Sequence, residues 1–571
     1  MLPHRRTFAE CDSILCGPGM PHEMETRLID GRLQRVYKHM WSSLREFWIA
    51  SATTFKDSTY IVYGDSRLTY DEVFQTSMKA ASVLRSHGIV KGDRIAICAH
   101  NCSDYLVAFW ACQLIGAISV HVNAWLPIDP LVHCFSHTSS KIVLVDAERA
   151  QRILPAVSNL RSSGITSFFV IDTLRENLSS MPLEFLDWTI VVNQHHIDPT
   201  SSVNVGHCLT PEDDAVIMFT SGTTGLPRGV LSTHRQFLTN MKNSTVASSR
   251  ATLRSGGNLG ATSHLGPQKG TLVAVPLFHV SGLTSFSMMA TMTGMKIVLS
   301  NKWVPGEAAR LTLAENIRTG GGVPMIVSDL LDSDALKGYP FEFFLFGAML
   351  THAFGMTETN AVSVALAGED YESKPTSCGI PCPVNDMLIV KDGQVLPNGE
   401  EGEVWLRGPN VMKCYWNDPD ATAKVLTKDG WYKTGDLGLI DEEGYLHIRD
   451  RIKDLIIRGG ENVDSVSVEN AIAADGRVLE VAVVGIPDAR WGELVAALVV
   501  IRSEYYGAIT GGEVIEFCRD RLPKFAVPVM VLLQDHPFVH TQSGKIMKAP
   551  LRVIAREEWA RRNRDSTSSR L

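Results

Sequence analysis

Between Thr220 and Gly229 the chain reads TSGTTGLPRG, directly after the apolar run AVIMF. Hydroxyls at Thr220, Ser221, Thr223 and Thr224 stand beside backbone N–H groups freed by Gly222 and Gly225. Glycines admit a close approach of backbone to phosphate oxygens, and a nest of N–H donors binds an anion without net charge. Arg228 and Gly229 close the loop, the arginine adding a cation. No Gly-Lys-Ser/Thr follows at the spacing of a Walker A loop. Further on, FGMTETN supplies an aromatic face at Phe354 and the oxygens of Thr357 and Glu358, suited to phosphate and a hard cation. YKTGD ends in Asp436, a carboxylate able to accept both hydroxyls of a ribose. SGKIMK sets Lys545 behind a glycine, and IRDRIKDLIIRGGENV mixes both charges at a change of texture.

Something must hold these groups in place. The chain has 571 residues, too many for one core, and is 45% hydrophobic and 20% charged, ordinary soluble-globular usage. A net charge of -8 argues against a nucleic-acid partner but not against a local cationic site. Eleven cysteines show no CxxC pair, and Cys378 and Cys382, four apart without a second pair, make a poor metal site. The start, MLPHRRTFAECDS, has no apolar signal core, and no apolar run is long enough to span a membrane. The chain ends Ser569-Arg570-Leu571, a variant of the SKL peroxisomal address, which predicts a peroxisomal location and an import receptor as partner.

Short apolar runs alternate with amphipathic stretches. Val73, Phe74, Met78, Ala81 and Leu84 share a helical face that Gly88 ends. RIAICAHN, AISVHVN and KIVLVDAE read as strands around the helix SDYLVAFWACQLIG. DAVIMFTSG, TLVAVPLFH, KIVLSNKW and FFLFGAM form a second set. This alternation predicts doubly wound parallel sheets, an α/β fold. The polar text from 240 to 270 reads as a mobile surface loop. Tight turns from about 385 to 450 predict a small β subdomain, followed by a further small αβ domain.

In this order, TSGTTGxPxG, aromatic-GxTE, TGD, DRxKDxIxxxG and SGK resemble the adenylate-forming (AMP-binding) superfamily of acyl-CoA synthetases, peptide-synthetase adenylation domains and luciferases. The resemblance runs from LTYDE at 68 to PLR at 550 and leans to the coumarate/fatty-acid CoA ligase branch. With the terminal SRL, the chain is similar to fungal acyl-CoA ligases of secondary metabolism, including host-selective (AK-type) toxin pathways.

The resemblance implies a large N-terminal domain, 1–450, of two doubly wound α/β subdomains plus the β subdomain, and a small mobile α+β C-terminal domain, 451–571. It implies that a carboxylic acid attacks the α-phosphate of ATP, and that CoA then takes the acyl group from the acyl-adenylate. Thr220 to Gly229 would cradle the β- and γ-phosphates, Glu358 would help hold Mg²⁺, and Thr357 would touch the α-phosphate. Gly347, Ala348 and Phe354, with Gly355 and Met356, would line the adenine slot. Asp436 would hold the ribose with Arg451 assisting. Lys545 would bridge carboxylate and α-phosphate during adenylation. Lys453 would be the hinge of a rotating C-terminal domain, Gly459 and Gly460 would leave room for the pantetheine arm, and His279 would line the acyl pocket. Loading of an aryl acid or a carrier protein is the alternative chemistry.

Two departures stand out. Arg228 replaces the lysine usual in the phosphate loop, keeping the charge and adding a bidentate grip. FFLFGAML runs almost directly into Phe354, with only Thr351, His352 and Ala353 after Leu350. Four chain steps reach at most about 14 Å, whereas neighbouring parallel strands need a crossover of roughly a dozen residues. Either the sheet lacks a strand and a helix there or coding sequence is missing, and a catalytically impaired nucleotide-binding relative is the rival reading.

Overall fold

The apolar strands of the first half build two parallel sheets in the computed structural model, which describes residues 6–172, 182–195, 208–220, 226–259, 266–320, 330, 333–337, 343–344, 351–451, 456–458, 461–463, 465–488, 490–519, 521–540 and 546–568. The first sheet has eight strands in the order Cys414–Tyr415, Arg228–Thr233, Asp214–Thr220, Ile118–His121, Arg94–Cys98, Ile142–Val145, Ser167–Val170 and Leu186–Asp187. From Asp214–Thr220 to Leu186–Asp187 every pairing is parallel. The second sheet runs Phe343–Phe344, Ile317–Gly320, Gly270–Val273, Lys296–Leu299, Thr59–Tyr63 and Ser66–Thr69, antiparallel only at the last pair. The sheets match the strands expected from RIAICAHN, AISVHVN, KIVLVDAE, DAVIMFTSG, TLVAVPLFH and KIVLSNKW, while of FFLFGAM only Phe343–Phe344 falls within the described residues.

Helix Tyr70–Ser86 starts on a capping box, Thr69 with Glu72, and stops ahead of Gly88 at φ 79°, as its periodicity requires. Helix Ser103–Ile115 is buried on every side from Tyr105 onward, because it meets strands of both sheets. One continuous core follows, with Trp48 stacked on Trp110 at 4.5 Å.

The text from 240 to 270 is not a loop over its first half. Residues His234–Arg254 form one helix, begun by a capping box between Thr233 and Gln236. Its hydroxyls turn back onto the helix, as Thr239 does to the Arg235 carbonyl at 2.8 Å. Two of its polar residues are buried with partners: Arg250 holds both carboxylate oxygens of Asp12 at 2.7 Å, and Asn243 donates to the Val362 carbonyl at 2.8 Å. Tertiary partners override the loop-like composition.

Before Phe354 the described strands on either side of the short segment belong to different sheets. Phe343–Phe344 pairs in the parallel sheet, but Thr351–Met356 lies in another, a three-stranded antiparallel sheet with Ala361–Ala367 and Ile380–Pro381. The crossover rule binds only neighbours in one parallel sheet. Residues 345–350, between these two strands, lie outside the described residues.

By contacts the chain divides into Met1–Met387 with Leu406–Tyr432, and Leu388–Trp405 with Lys433–Leu571. This division runs through the β subdomain. The second unit holds the strands Gly402–Arg407 (in part), Tyr432–Ile440 (from Lys433) and Leu446–Arg451, and a sheet centred on Val478–Asp488 and Gly492–Ile501. No described helix is long and apolar enough to cross a membrane.

At the carboxyl ends of the central strands, His100 is clamped between Asp146 (Nδ1, 2.9 Å) and Asp172 (Nε2, 2.8 Å), with Tyr63 donating to Asp172 at 2.8 Å. Burial lowers the imidazole pKa, but the two carboxylates outweigh it and raise the value to about 9. A raised folded-state pKa gives stability that is full below the unfolded value near 6.5 and is lost as pH passes about 9. His100→Gln should therefore lower the unfolding midpoint clearly at pH 6, by the equivalent of about 2 kcal/mol, and progressively less above pH 9. A gap independent of pH would contradict an imidazolium there.

Candidate active site

The strand Asp214–Thr220 turns back as Arg228–Thr233, so Thr220 and Arg228 face each other at the mouth of the phosphate loop. Ser221, Gly222, Thr223, Thr224 and Gly225 lie outside the described residues. Thr220 Oγ1 donates to the Arg228 carbonyl at 3.5 Å. Gly229 is buried in the returning strand, where a Cβ would fall 2.9 Å from Ile217 Cγ2 and 3.5 Å from Trp416 Cβ. Its carbonyl accepts from Trp416 N at 2.7 Å, so this glycine packs the base of the loop. Helix Ile128–His137 braces the same place: His133 Nε2 donates to the Pro227 carbonyl at 3.3 Å and His137 Nε2 to that of Trp416 at 2.9 Å.

The aromatic-GxTE text forms the strand Thr351–Met356 and a single 3₁₀ turn, Thr357–Thr359. Phe354 is half-buried and pairs with Val364. Gly355 has a steric reason: a Cβ there would lie 1.4 Å from the Ala361 carbonyl oxygen. Asn360 and Ala361 leave the turn at φ 52° and 87°, strained for residues with a Cβ. Thr359 Oγ1 ties the turn together, accepting from Met356 N at 2.9 Å and donating to the Ala361 carbonyl at 2.9 Å.

Two supports for this turn were not read from the sequence. Asn410 donates to the Thr359 carbonyl (2.7 Å) and Ser363 Oγ (2.9 Å). Its side-chain oxygen accepts from Asn385 at 2.6 Å, which accepts in turn from Asn243 at 3.0 Å. Tyr37 completes the buried chain at 2.9 Å. Tyr415 is the second support, its O–H donating to Glu358 Oε1 at 2.7 Å. They lie 51 and 57 positions along the chain from Thr359 and Glu358, and their partners give them a role.

Glu358 is 9% exposed, and its backbone carbonyl accepts from Met412 N at 2.7 Å. Among the described residues no group of three or more His, Cys, Asp or Glu could hold a metal ion by itself. One buried carboxylate, with threonine hydroxyls near in sequence, suits Mg²⁺, which keeps waters and takes its other ligands from substrate phosphates.

His279 sits half-buried in a tight turn ahead of a π-helical segment, Ser281–Ser287. Such segments recur at functional sites. Asn101 pins this turn, donating to the carbonyls of Val275 (3.0 Å) and Ser300 (3.1 Å) and accepting from Leu277 N at 2.8 Å.

Asp436 and Arg451 belong to the second unit, directly opposite each other on the antiparallel strands Tyr432–Ile440 and Leu446–Arg451. Asp436 is buried, and its N–H donates to Thr434 Oγ1 at 3.0 Å, while Gly435 N donates to Glu403 at 3.0 Å. The TGD turn is thus fixed by its own threonine and a neighbouring strand. Gly347, Ala348, Lys453, Gly459, Gly460 and Lys545 lie outside the described residues, although a bridge between His540 and Ile546 flanks Lys545.

Comparisons with known proteins fit this geometry. The AMP-binding enzyme family matches residues 48–343 and 341–416, and the AMP-binding enzyme C-terminal domain matches 467–545. The seam between the first two matches lies just ahead of the short connection before Phe354. A long-chain-fatty-acid–CoA ligase of Mycobacterium tuberculosis is 30% identical over 512 residues, covering 86% of this chain and 93% of that protein. A feruloyl-CoA synthase of Amycolatopsis is 30% identical, covering 87% and 95%. Among solved structures, o-succinylbenzoate CoA synthetase from Bacillus subtilis with its acyl-adenylate intermediate aligns at TM-score 0.71 and 26% identity, covering 88% of this chain and 97% of that one. The same enzyme with ATP and magnesium ion aligns at 0.70 and 25%, covering 88% and 98%. With its α/β domain, its loop and its C-terminal domain all matched, the chain belongs to the AMP-binding enzyme family.

Proposed function

We propose that this acid–thiol ligase activates a hydrophobic or polyketide-derived carboxylic acid with ATP and passes the acyl group to CoA, in fungal secondary metabolism of the toxin-forming kind. The observation that carries the adenylation step is the Glu358 turn, fixed by Asn410 and Tyr415, with Tyr415 also facing Arg228 at the mouth of the loop. Phosphoryl-group chemistry asks the protein for position and charge more than for covalent help. Thr220 to Arg228 would hold the pyrophosphate end of ATP, Thr357 the α-phosphate and Asp436 the ribose. Mg²⁺, held by Glu358, would neutralise phosphate charge. Lys545 would bring a compact cation to the acid and the α-phosphate, and then leave as residues 451–571 turn about Lys453. Gly459 and Gly460 would then pass the pantetheine thiol, and His279 would border the acyl group.

An aryl acid fits the same chemistry, since the relatives include both fatty-acyl and feruloyl enzymes. ATP–pyrophosphate exchange and CoA-thioester formation, run across fatty, polyketide-like and aryl acids, decide the class. Exchange with none of them favours the impaired relative. For location, deleting Ser569-Arg570-Leu571 should leave activity intact and move a tagged protein from peroxisomes to the cytosol. Unchanged targeting removes the address.

A further inference from the structure

We propose that Tyr415 is a positioning residue of the adenylation site, fixing the Glu358 carboxylate and keeping it apart from the Arg228 guanidinium. The inference rests on the adenylating reading above. Tyr415 is 6% exposed and lies on the edge strand Cys414–Tyr415, paired with Val230 just inside the strand that leaves the phosphate loop. Its two ends meet opposite charges. The O–H donates to Glu358 Oε1 at 2.7 Å, while the Arg228 guanidinium carbon stands 5.7 Å from the ring centroid, within reach of a cation–π contact.

The placement of the phenol is itself fixed. Tyr415 N donates to Thr422 Oγ1 at 3.0 Å, and Asp418, on the same segment, lies 3.6 Å from Arg228 Nε.

A guanidinium and a carboxylate that meet form a bidentate pair. Were Arg228 and Glu358 to pair, both would be withdrawn from the nucleotide. A rigid aromatic ring bonded to one and facing the other prevents that. A tyrosine serving the core alone needs only a backbone acceptor. Here the acceptor is the acidic side chain, and the ring faces an arginine whose side chain is 56% exposed.

The test is calorimetric binding of ATP to the full chain, with Mg²⁺ and in EDTA, alongside ATP–pyrophosphate exchange. Tyr415→Phe keeps the ring and loses the donor. It should bind ATP in EDTA as the wild type does and lose about tenfold of the gain in affinity that Mg²⁺ confers, the worth of a hydrogen bond to a charged group. Tyr415→Leu loses the ring as well and should weaken ATP binding in both conditions. Thermal unfolding of both variants tracks the fold. A full Mg²⁺-dependent gain in Tyr415→Phe, with Glu358→Gln losing it, overturns the positioning role alone. If the wild type itself shows neither that gain nor exchange with any acid, the adenylating reading fails instead.

Discussion

Lys545→Ala lowers ATP–pyrophosphate exchange by about 10²- to 10³-fold while thioester formation from supplied acyl-adenylate and CoA stays close to wild type; this is the largest split in rates expected from any one substitution. The reasoning is electrostatic. In adenylation a carboxylate attacks an α-phosphate, so two anions must meet, and a compact ammonium between them offsets the repulsion in the transition state. In the second half-reaction the thiol attacks a neutral acyl carbon, and that cation has no comparable work. Lys545 itself lies outside the described residues, and His540 and Ile546, on either side of it in the chain, pair in an isolated bridge. Lys548, three residues on, is already committed to Glu469 at 2.8 Å and Ser465 at 2.7 Å, and cannot substitute without giving up both. Equal loss in both half-reactions would assign Lys545 to structure or to general nucleotide binding.

Gly355→Ala is expected to damage the same half-reaction by a steric route. The added methyl would stand 1.4 Å from the Ala361 oxygen and 2.5 Å from its carbon, so backbone must move rather than a flexible side chain. The segment that must give way is the one carrying Thr357 and Glu358, already bent through positive φ at Asn360 and Ala361. A displacement of about 1 Å at a reacting centre costs about 100-fold, and overpacking costs about 1–3 kcal/mol. Exchange should therefore fall by about 100-fold, with a lowered unfolding midpoint and an unchanged far-ultraviolet spectrum. Since Asn410 grips the turn at Thr359 and Ser363, Asn410→Ala should show a weaker form of the same defect. Wild-type exchange in Gly355→Ala would show that the turn does not set the position of Glu358.

These two substitutions mark where sequence reading reached and where it stopped. Lys545 is nominated from the sequence alone, through the order of five short motifs. Gly355 was found the same way, but its reason was not: the clash is with Ala361 across a strand pairing whose register slips between Phe354 and Gly355. The mouth of the phosphate loop was legible because an apolar run followed by Ser, Thr and Gly has few other uses. The polar stretch after residue 240 misled, because Asn243 and Arg250 are polar groups with buried partners rather than solvated ones.

By itself the sequence determined the alternation of strands and helices, the helix begun at Thr69 and the inventory of groups able to meet ATP. Those are local properties, written in spacing, caps and residue type within a few positions. Only the tertiary structure decided that the strand Thr351–Met356 lies outside the parallel sheet, that His100 sits between two carboxylates, and that Tyr415 and Asn410 hold the Glu358 turn. Each depends on partners far apart along the chain, 57 positions for Tyr415 and Glu358 and 51 for Asn410 and Thr359. A hydrogen bond leaves no periodicity in the text between its partners, and its existence is settled by which surfaces the core brings together.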